Sequence, residues 1–78
     1  MARVRSLQQG AQDVRVHPSE VDCFYQSIVS ASGEKFVHLT TFGSEERVSR
    51  PKSSQSLQLD ERTARQLIDV LRKAFPSP

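Results

Sequence analysis

The sequence predicts a small α+β domain, in which an antiparallel sheet of three or four strands carries one C-terminal helix on one face. Two observations lead to this class. Apolar and polar residues alternate along β-prone segments in the middle of the chain. Near the C-terminus, apolar residues recur at the spacing of one helical face. The 78 residues suffice for one domain with a modest core, which association with a second copy would stabilise.

The N-terminal residues 1–12 are polar and rich in glutamine, and they show no clear period. We interpret them as a flexible tail that precedes a single domain of residues 13–78. Val14, Arg15 and Val16 suit a short edge strand that ends at Pro18, because proline is tolerated at sheet edges. The tail has no apolar segment of the kind found in secretory signals.

A β-hairpin is predicted over residues 23–42. Residues 23–31 are rich in β-prone side chains, and Ser32, Gly33 and Glu34 form a turn in which glycine can take a positive φ. Residues 35–42 then alternate between two faces. One face carries Val37, Leu39 and Thr41, and the other carries Phe36, His38, Thr40 and Phe42. The pattern leaves open which of these faces forms the core.

An irregular segment follows at residues 43–53, and segments this long in small domains are functional or mobile. A third strand is predicted over residues 54–59. A helix is predicted over residues 61–75, with Asp60 as its N-cap and Pro76 beyond its end. Its apolar face consists of Ala64, Leu67, Ile68, Leu71, Ala74 and Phe75.

The composition indicates a soluble, cytoplasmic protein. Eleven Lys and Arg against nine Asp and Glu give a net charge of only +2. The single cysteine, Cys23, cannot form an internal disulfide, which favours a reducing compartment. No apolar run has the length of a membrane span.

No catalytic residue, metal site or cofactor is predicted. Cys23 and His38 are the only pair that resembles a nucleophile and its base, and we interpret them as structural residues of neighbouring strands. His17 and His38 lack the spacing of metal ligands. The glycines are too far apart for a phosphate-binding loop. We therefore expect a protein that is not an enzyme.

Nucleic-acid binding is the leading functional hypothesis, with single-stranded DNA preferred and a transcriptional or DNA-processing accessory role. Aromatic side chains on an open sheet face would stack on bases, and cations beside them would contact phosphates. The predicted binding residues are Tyr25, Lys35, Phe36, Phe42, Arg47, Arg50 and Lys52, and Phe24 is the alternative to Tyr25 on the first strand. If the Phe36 face were instead the core, this platform would be lost.

The alternative is a protein-interaction module, such as an inhibitor, an antitoxin-like partner or a small subunit of a larger complex. The weak net charge supports it, and so do Glu45 and Glu46, which precede the basic residues. A continuous basic patch in the folded chain would favour nucleic acid, whereas scattered cations would favour a protein partner.

Residues 35–71 read KFVHLTTFGSEERVSRPKSSQSLQLDERTARQLIDVL. This run resembles the transcriptional-coactivator family that binds single-stranded DNA. A strand, a basic turn at Arg50, Pro51 and Lys52, a short strand at residues 56–59, a polar cap at Asp60 and one helix follow one another as in that family. The resemblance implies a homodimer of curved four-stranded sheets. It also implies that single-stranded DNA lies along the sheet and meets Lys35, Arg47, Arg50 and Lys52.

Overall fold

The computed structural model describes residues 1–43 and 53–77. Four strands and one helix follow in the order β1 (Ala2–Arg3), β2 (Asp22–Val29), β3 (Lys35–Phe42), β4 (Ser53–Leu59) and α1 (Glu61–Ala74). The strands form one sheet in the order β1-β4-β3-β2, and α1 contacts β3 and β4. The predicted small α+β class with a C-terminal helix is confirmed.

The predicted hairpin is the antiparallel β2–β3 pair, in which Val29 lies opposite Lys35. Its turn depends on Gly33, whose φ is +92° and whose N–H donates to the carbonyl of Ser30 over 2.9 Å. The N–H of Ser30 donates in turn to the carbonyl of Glu34 over 2.8 Å. A residue with a Cβ rarely adopts this φ, so the glycine fixes where the chain reverses.

The fourth strand comes from a part of the chain where we did not expect one. Ala2 and Arg3 pair in parallel with Leu57 and Gln58 of β4, so the sheet is mixed rather than wholly antiparallel. The N–H of Val4 continues this pairing with a 2.9 Å bond to the carbonyl of Gln58. The edge strand predicted over residues 14–16 is wrong, since these residues are exposed and belong to no strand. Backbone hydrogen bonds hold β1 at the edge beside β4. Such bonds do not require alternating apolar and polar side chains, so the sequence pattern gives no sign of this strand.

The helix begins where the sequence predicts and ends one residue earlier. The Asp60 carboxylate accepts a 2.9 Å bond from the N–H of Thr63 and a 2.8 Å bond from its hydroxyl. Glu61 and Arg65 form an ion pair of 2.6 Å across one turn. Both side chains of that pair are exposed, so the N-cap is the stronger determinant of where the helix starts.

The core is small and lies on both sides of the sheet. Among the described residues, only Phe36, Leu59 and Thr63 are buried. Leu59 lies opposite Val37 and therefore shares its face, whereas Phe36 points to the other face. The two core assignments that the sequence left open are thus both partly right, because each face contributes one buried apolar side chain.

Candidate nucleic-acid interface

The register of the three long strands decides which side chains share a face. Phe24 lies opposite Thr40, Gln26 opposite His38, and His38 opposite Gln58. Cross-strand partners project to the same side, and side chains alternate along each strand. One surface, here called the aromatic face, therefore carries Asp22, Phe24, Gln26, Ile28, Phe36, His38, Thr40, Phe42, Ser56 and Gln58. The opposite face carries Cys23, Tyr25, Ser27, Val29, Lys35, Val37, Leu39, Thr41, Gln55, Leu57 and Leu59.

Two phenyl rings meet at one end of the aromatic face. Phe24 and Phe42 pack edge to face, with ring centroids 5.1 Å apart and an interplanar angle of 86°. Phe24 remains 59% exposed, and Phe42 is half-buried. Edge-to-face packing holds both rings in place and leaves ring surface open to solvent. This arrangement provides a stacking surface for a planar ligand.

His38 lies at the centre of the same face and is held by β4. The side-chain nitrogen Nε2 of Gln58 is 3.0 Å from Nδ1 of His38. An amide N–H donates, so Nδ1 accepts in the tautomer that carries no proton there. The imidazole is thus held by a partner on the neighbouring strand.

Arg3 supplies positive charge to this surface. Its guanidinium carbon lies 5.5 Å from the centroid of the Phe36 ring, within the range of a cation–π contact. Phe36 is only 7% exposed, so its ring has little surface available to stack on a base and lies beneath the arginine instead. The sequence analysis placed Arg3 in a flexible tail. A two-residue strand has no period that could have revealed it.

A groove of about 470 Å³ runs between β1 and the aromatic face. None of its lining residues is acidic, and they are Met1, Ala2, Arg3, His38, Thr40, Phe42, Ser56 and Gln58. The nearest acidic position in the register is Asp22, opposite Phe42 at the end of β2. The groove thus combines an arginine, an imidazole, a phenyl ring and uncharged polar groups in one open surface.

Not all predicted binding residues gather there. Tyr25 lies opposite Leu39, so it projects from the opposite face and cannot join Phe42 in one stacking surface. Phe24, the alternative to Tyr25, lies beside Phe42 instead. Lys35 is exposed, and by strand alternation it belongs to the side of Val37. Arg47, Arg50 and Lys52 lie outside the described residues.

The register of β2 and β3 also decides whether Cys23 and His38 can act as a nucleophile and its base. Cys23 pairs with Thr41, so it projects from the opposite face while His38 projects from the aromatic face. A thiol and an imidazole on opposite sides of a sheet cannot form a nucleophile–base pair. In the described ranges, no group of three His, Cys, Asp or Glu side chains is placed to hold a metal ion. Within the same ranges, no helix is long and apolar enough to cross a membrane.

Comparison with family models, curated proteins and solved structures finds no match to this chain. The resemblance to the single-stranded-DNA-binding coactivators remains an expectation that these comparisons do not test. Any functional proposal therefore depends on the geometry of the aromatic face.

Proposed function

We propose that this chain binds nucleic acid, with a preference for single strands, and serves as an accessory factor in transcription or DNA processing. The observation that carries the proposal is the groove on the aromatic face, which brings ring surfaces and an arginine together without an acidic lining residue. Single-strand-binding surfaces combine these two kinds of group, because each base has a face to stack and each phosphate carries a negative charge.

Each group in the groove has a role that its position supports. Phe42 in the groove and Phe24, which packs against it, stack on bases, and stacking of this kind contributes about 1–3 kcal/mol per base. Arg3 contacts phosphate from the groove rim. Gln58 and Ser56 offer amide and hydroxyl groups to base edges, which are accessible in a single strand and largely hidden in a duplex.

The proposed site also includes the basic residues that stand between β3 and β4 in the sequence. These are Arg47, Arg50 and Lys52, which lie outside the described residues. We assign them phosphate contacts. Lys35 lies at the other end of β3 and would contact only a strand that continues past the sheet.

The test is fluorescence anisotropy of labelled single-stranded DNA, duplex DNA and RNA, titrated with protein over a series of salt concentrations. We expect the single strand to bind most tightly and its affinity to fall steeply with salt. Phe42→Ala should weaken binding by about tenfold or more, since it removes one stacking ring. Replacing Arg50 and Lys52 by glutamate should weaken binding and flatten its salt dependence.

Tyr25→Ala is the matched control, because Tyr25 is an exposed aromatic residue on the opposite face. It should leave the affinity unchanged. An equal loss in Phe42→Ala and Tyr25→Ala would show that the groove is not the site. No binding of any nucleic acid at low salt would reject the proposal.

We also propose that the chain is a homodimer and acts in the cytoplasm, where its free Cys23 would stay reduced. Apolar side chains remain exposed on both faces of the sheet, among them Phe24 at 59% and Leu57 at 43%. A second copy would cover part of this apolar surface.

A protein partner of another kind is the second candidate, and the exposed side of α1 favours it. Ile68 is 45% exposed, Leu71 46% and Phe75 75%, although all three belong to the apolar face of the helix. Exposed apolar surface of this kind is typical of protein contacts. If the anisotropy experiment shows no nucleic-acid binding, this helix face becomes the first surface to mutate.

A further inference from the structure

Strand β2 forms an edge of the sheet that lacks the usual protection against further pairing. The sheet order leaves β2 with one neighbouring strand, β3, in the described part of the chain. Its eight residues contain no proline and no lysine, and its pairing with β3 has no register shift. Phe24, Tyr25 and Val29 on this strand are 59%, 80% and 63% exposed. Long apolar edges without such features readily pair with another strand.

The hydrogen-bond pattern identifies which backbone groups point outward from this edge. Ser30 donates to Glu34, so these two residues form a hydrogen-bonded pair of the hairpin. Antiparallel pairs alternate, so the even-numbered residues of β2 face β3 and the odd-numbered ones face outward. Carried across β3 to β4, the same alternation turns the backbone of Gln58 away from β3 and toward β1. The hydrogen bond from the N–H of Val4 to the carbonyl of Gln58 agrees with this direction. The outward residues are therefore Cys23, Tyr25, Ser27 and Val29.

These outward residues are arranged symmetrically about Gln26. When β2 is placed antiparallel to a copy of itself with Gln26 on the two-fold axis, Cys23 pairs with Val29 and Tyr25 with Ser27. Every outward N–H and C=O then finds a partner. On the aromatic face, Phe24 of one copy lies opposite Ile28 of the other, at a non-hydrogen-bonded pair where side chains are closest.

The alternative registers are less complementary. With Tyr25 on the axis, Asp22 would lie opposite Ile28, which places a carboxylate against an apolar side chain. With Ser27 on the axis, the paired segments would extend beyond Val29 into the turn. The register centred on Gln26 pairs the whole strand and places Asp22 opposite Ser30. Self-complementarity of this kind is what an isologous interface requires.

We propose that a second copy of this chain docks on the β2 edge, so that two sheets join into one continuous sheet about a two-fold axis at Gln26. This inference rests on the homodimer proposed above and names its interface. A two-fold axis perpendicular to the sheet places both aromatic faces on the same side of the joined sheet. The two grooves then form one surface, and a single strand can pass from one copy to the other.

Sedimentation velocity of the full chain tests the interface with Ser27→Pro. Proline removes the outward N–H of Ser27 and takes no hydrogen bond from the β2–β3 hairpin. We expect the dissociation constant of the dimer to rise by about tenfold or more, because each copy loses a bond to the other and the ring hinders the approach. Ser27→Ala is the matched control, since it keeps the N–H and should dimerise as the parent does. Circular dichroism verifies that each variant is folded.

Disulfide trapping tests the register without depending on a proline. In the proposed dimer the two Gln26 Cα atoms are about 4.5 Å apart, as in other non-hydrogen-bonded pairs, and a disulfide can bridge that distance. Gln26→Cys combined with Cys23→Ser should give a covalent dimer under mild oxidation. Gln55→Cys in the same background is the control. Gln55 is also exposed but lies on β4, so it should give no cross-link.

The outcomes separate this inference from the dimer itself. A parent chain that sediments as a monomer at every concentration would reject both the homodimer and its interface on the β2 edge. A dimer that persists in Ser27→Pro and is not trapped through Gln26→Cys would keep the dimer and place its interface elsewhere, with the apolar side of α1 as the next surface. Nucleic-acid binding is measured in a separate experiment, and its result neither supports nor rejects the homodimer or its interface.

Discussion

At the turn between β2 and β3, one backbone angle decides whether the hairpin closes. Gly33 has φ +92°, and nothing lies within 4 Å of a Cβ built there. The cost of adding a side chain is therefore one of backbone conformation, about 1–2 kcal/mol for an L-residue in this region. We predict that Gly33→Ala lowers the free energy of unfolding by that amount, as measured by urea denaturation followed by circular dichroism.

Gly10→Ala is the control for this prediction. A Cβ at Gly10 also meets nothing within 4 Å, and Gly10 does not have a positive φ. Its replacement should change the free energy of unfolding by less than about 0.5 kcal/mol. Equal losses in the two variants would contradict a backbone origin and point to a general intolerance of alanine in the glycine positions.

Individual residues also show how far the sequence could define the site. Alternation along β3 correctly placed His38 and Phe42 on one face. It could not decide whether Phe24 or Tyr25 joins them, because a shift of one residue in the hairpin register exchanges their faces. The pairing of Ser30 with Glu34 sets that register, and it puts Phe24 beside Phe42. Arg3 could not be found, since its position depends on a backbone pairing without a side-chain pattern.

At the scale of the element, the cap of α1 makes stability depend on pH. Hydrogen bonds from the N–H and the hydroxyl of Thr63 hold the pKa of Asp60 below its ordinary value of 3.8, and the charges of Arg62 and Arg3 add to this. A carboxyl whose pKa is lower in the folded chain stabilises the fold above its unfolded pKa. That stabilisation is lost as the pH falls through the folded pKa.

We therefore predict that the contribution of Asp60 is constant above about pH 5 and declines below about pH 4. The measurement is the midpoint of thermal unfolding between pH 2 and pH 7 for the parent chain and Asp60→Asn. Asparagine caps helices as well as aspartate does but does not ionise in this range. The parent should lose stability relative to Asp60→Asn as the pH falls, and two parallel curves would refute the role of ionised Asp60.

The elements differ in how well local patterns predict them. β3, β4 and α1 begin and end within about one residue of the expected positions, because alternation, a capping carboxylate and helical spacing are local signals. β1 was not predicted, and the strand expected over residues 14–16 does not form. Whether a short segment joins a sheet depends on an edge that is made elsewhere in the chain, and that information is not local.

At the scale of the whole molecule, the core of the described residues is small. Phe36 and Leu59 are the only buried apolar side chains in residues 1–43 and 53–77, and they lie on different faces of the sheet. Burial of apolar surface is the main favourable contribution to folding, and these described residues bury little of it. The sequence predicted a modest core from chain length, and the register adds that its two buried apolar side chains lie on different faces.

If a second copy binds only the folded chain, mass action makes the unfolding midpoint depend on protein concentration. We predict that the midpoint of thermal unfolding rises steadily across a hundredfold increase in concentration, as measured by circular dichroism at pH 7. Ser27→Pro should show a lower midpoint at high concentration and little dependence on concentration, since it cannot pair along the β2 edge. Ser27→Ala should follow the parent. A parent midpoint that is the same at every concentration would mean that the fold is stable as a monomer and that the open faces of the sheet need no partner.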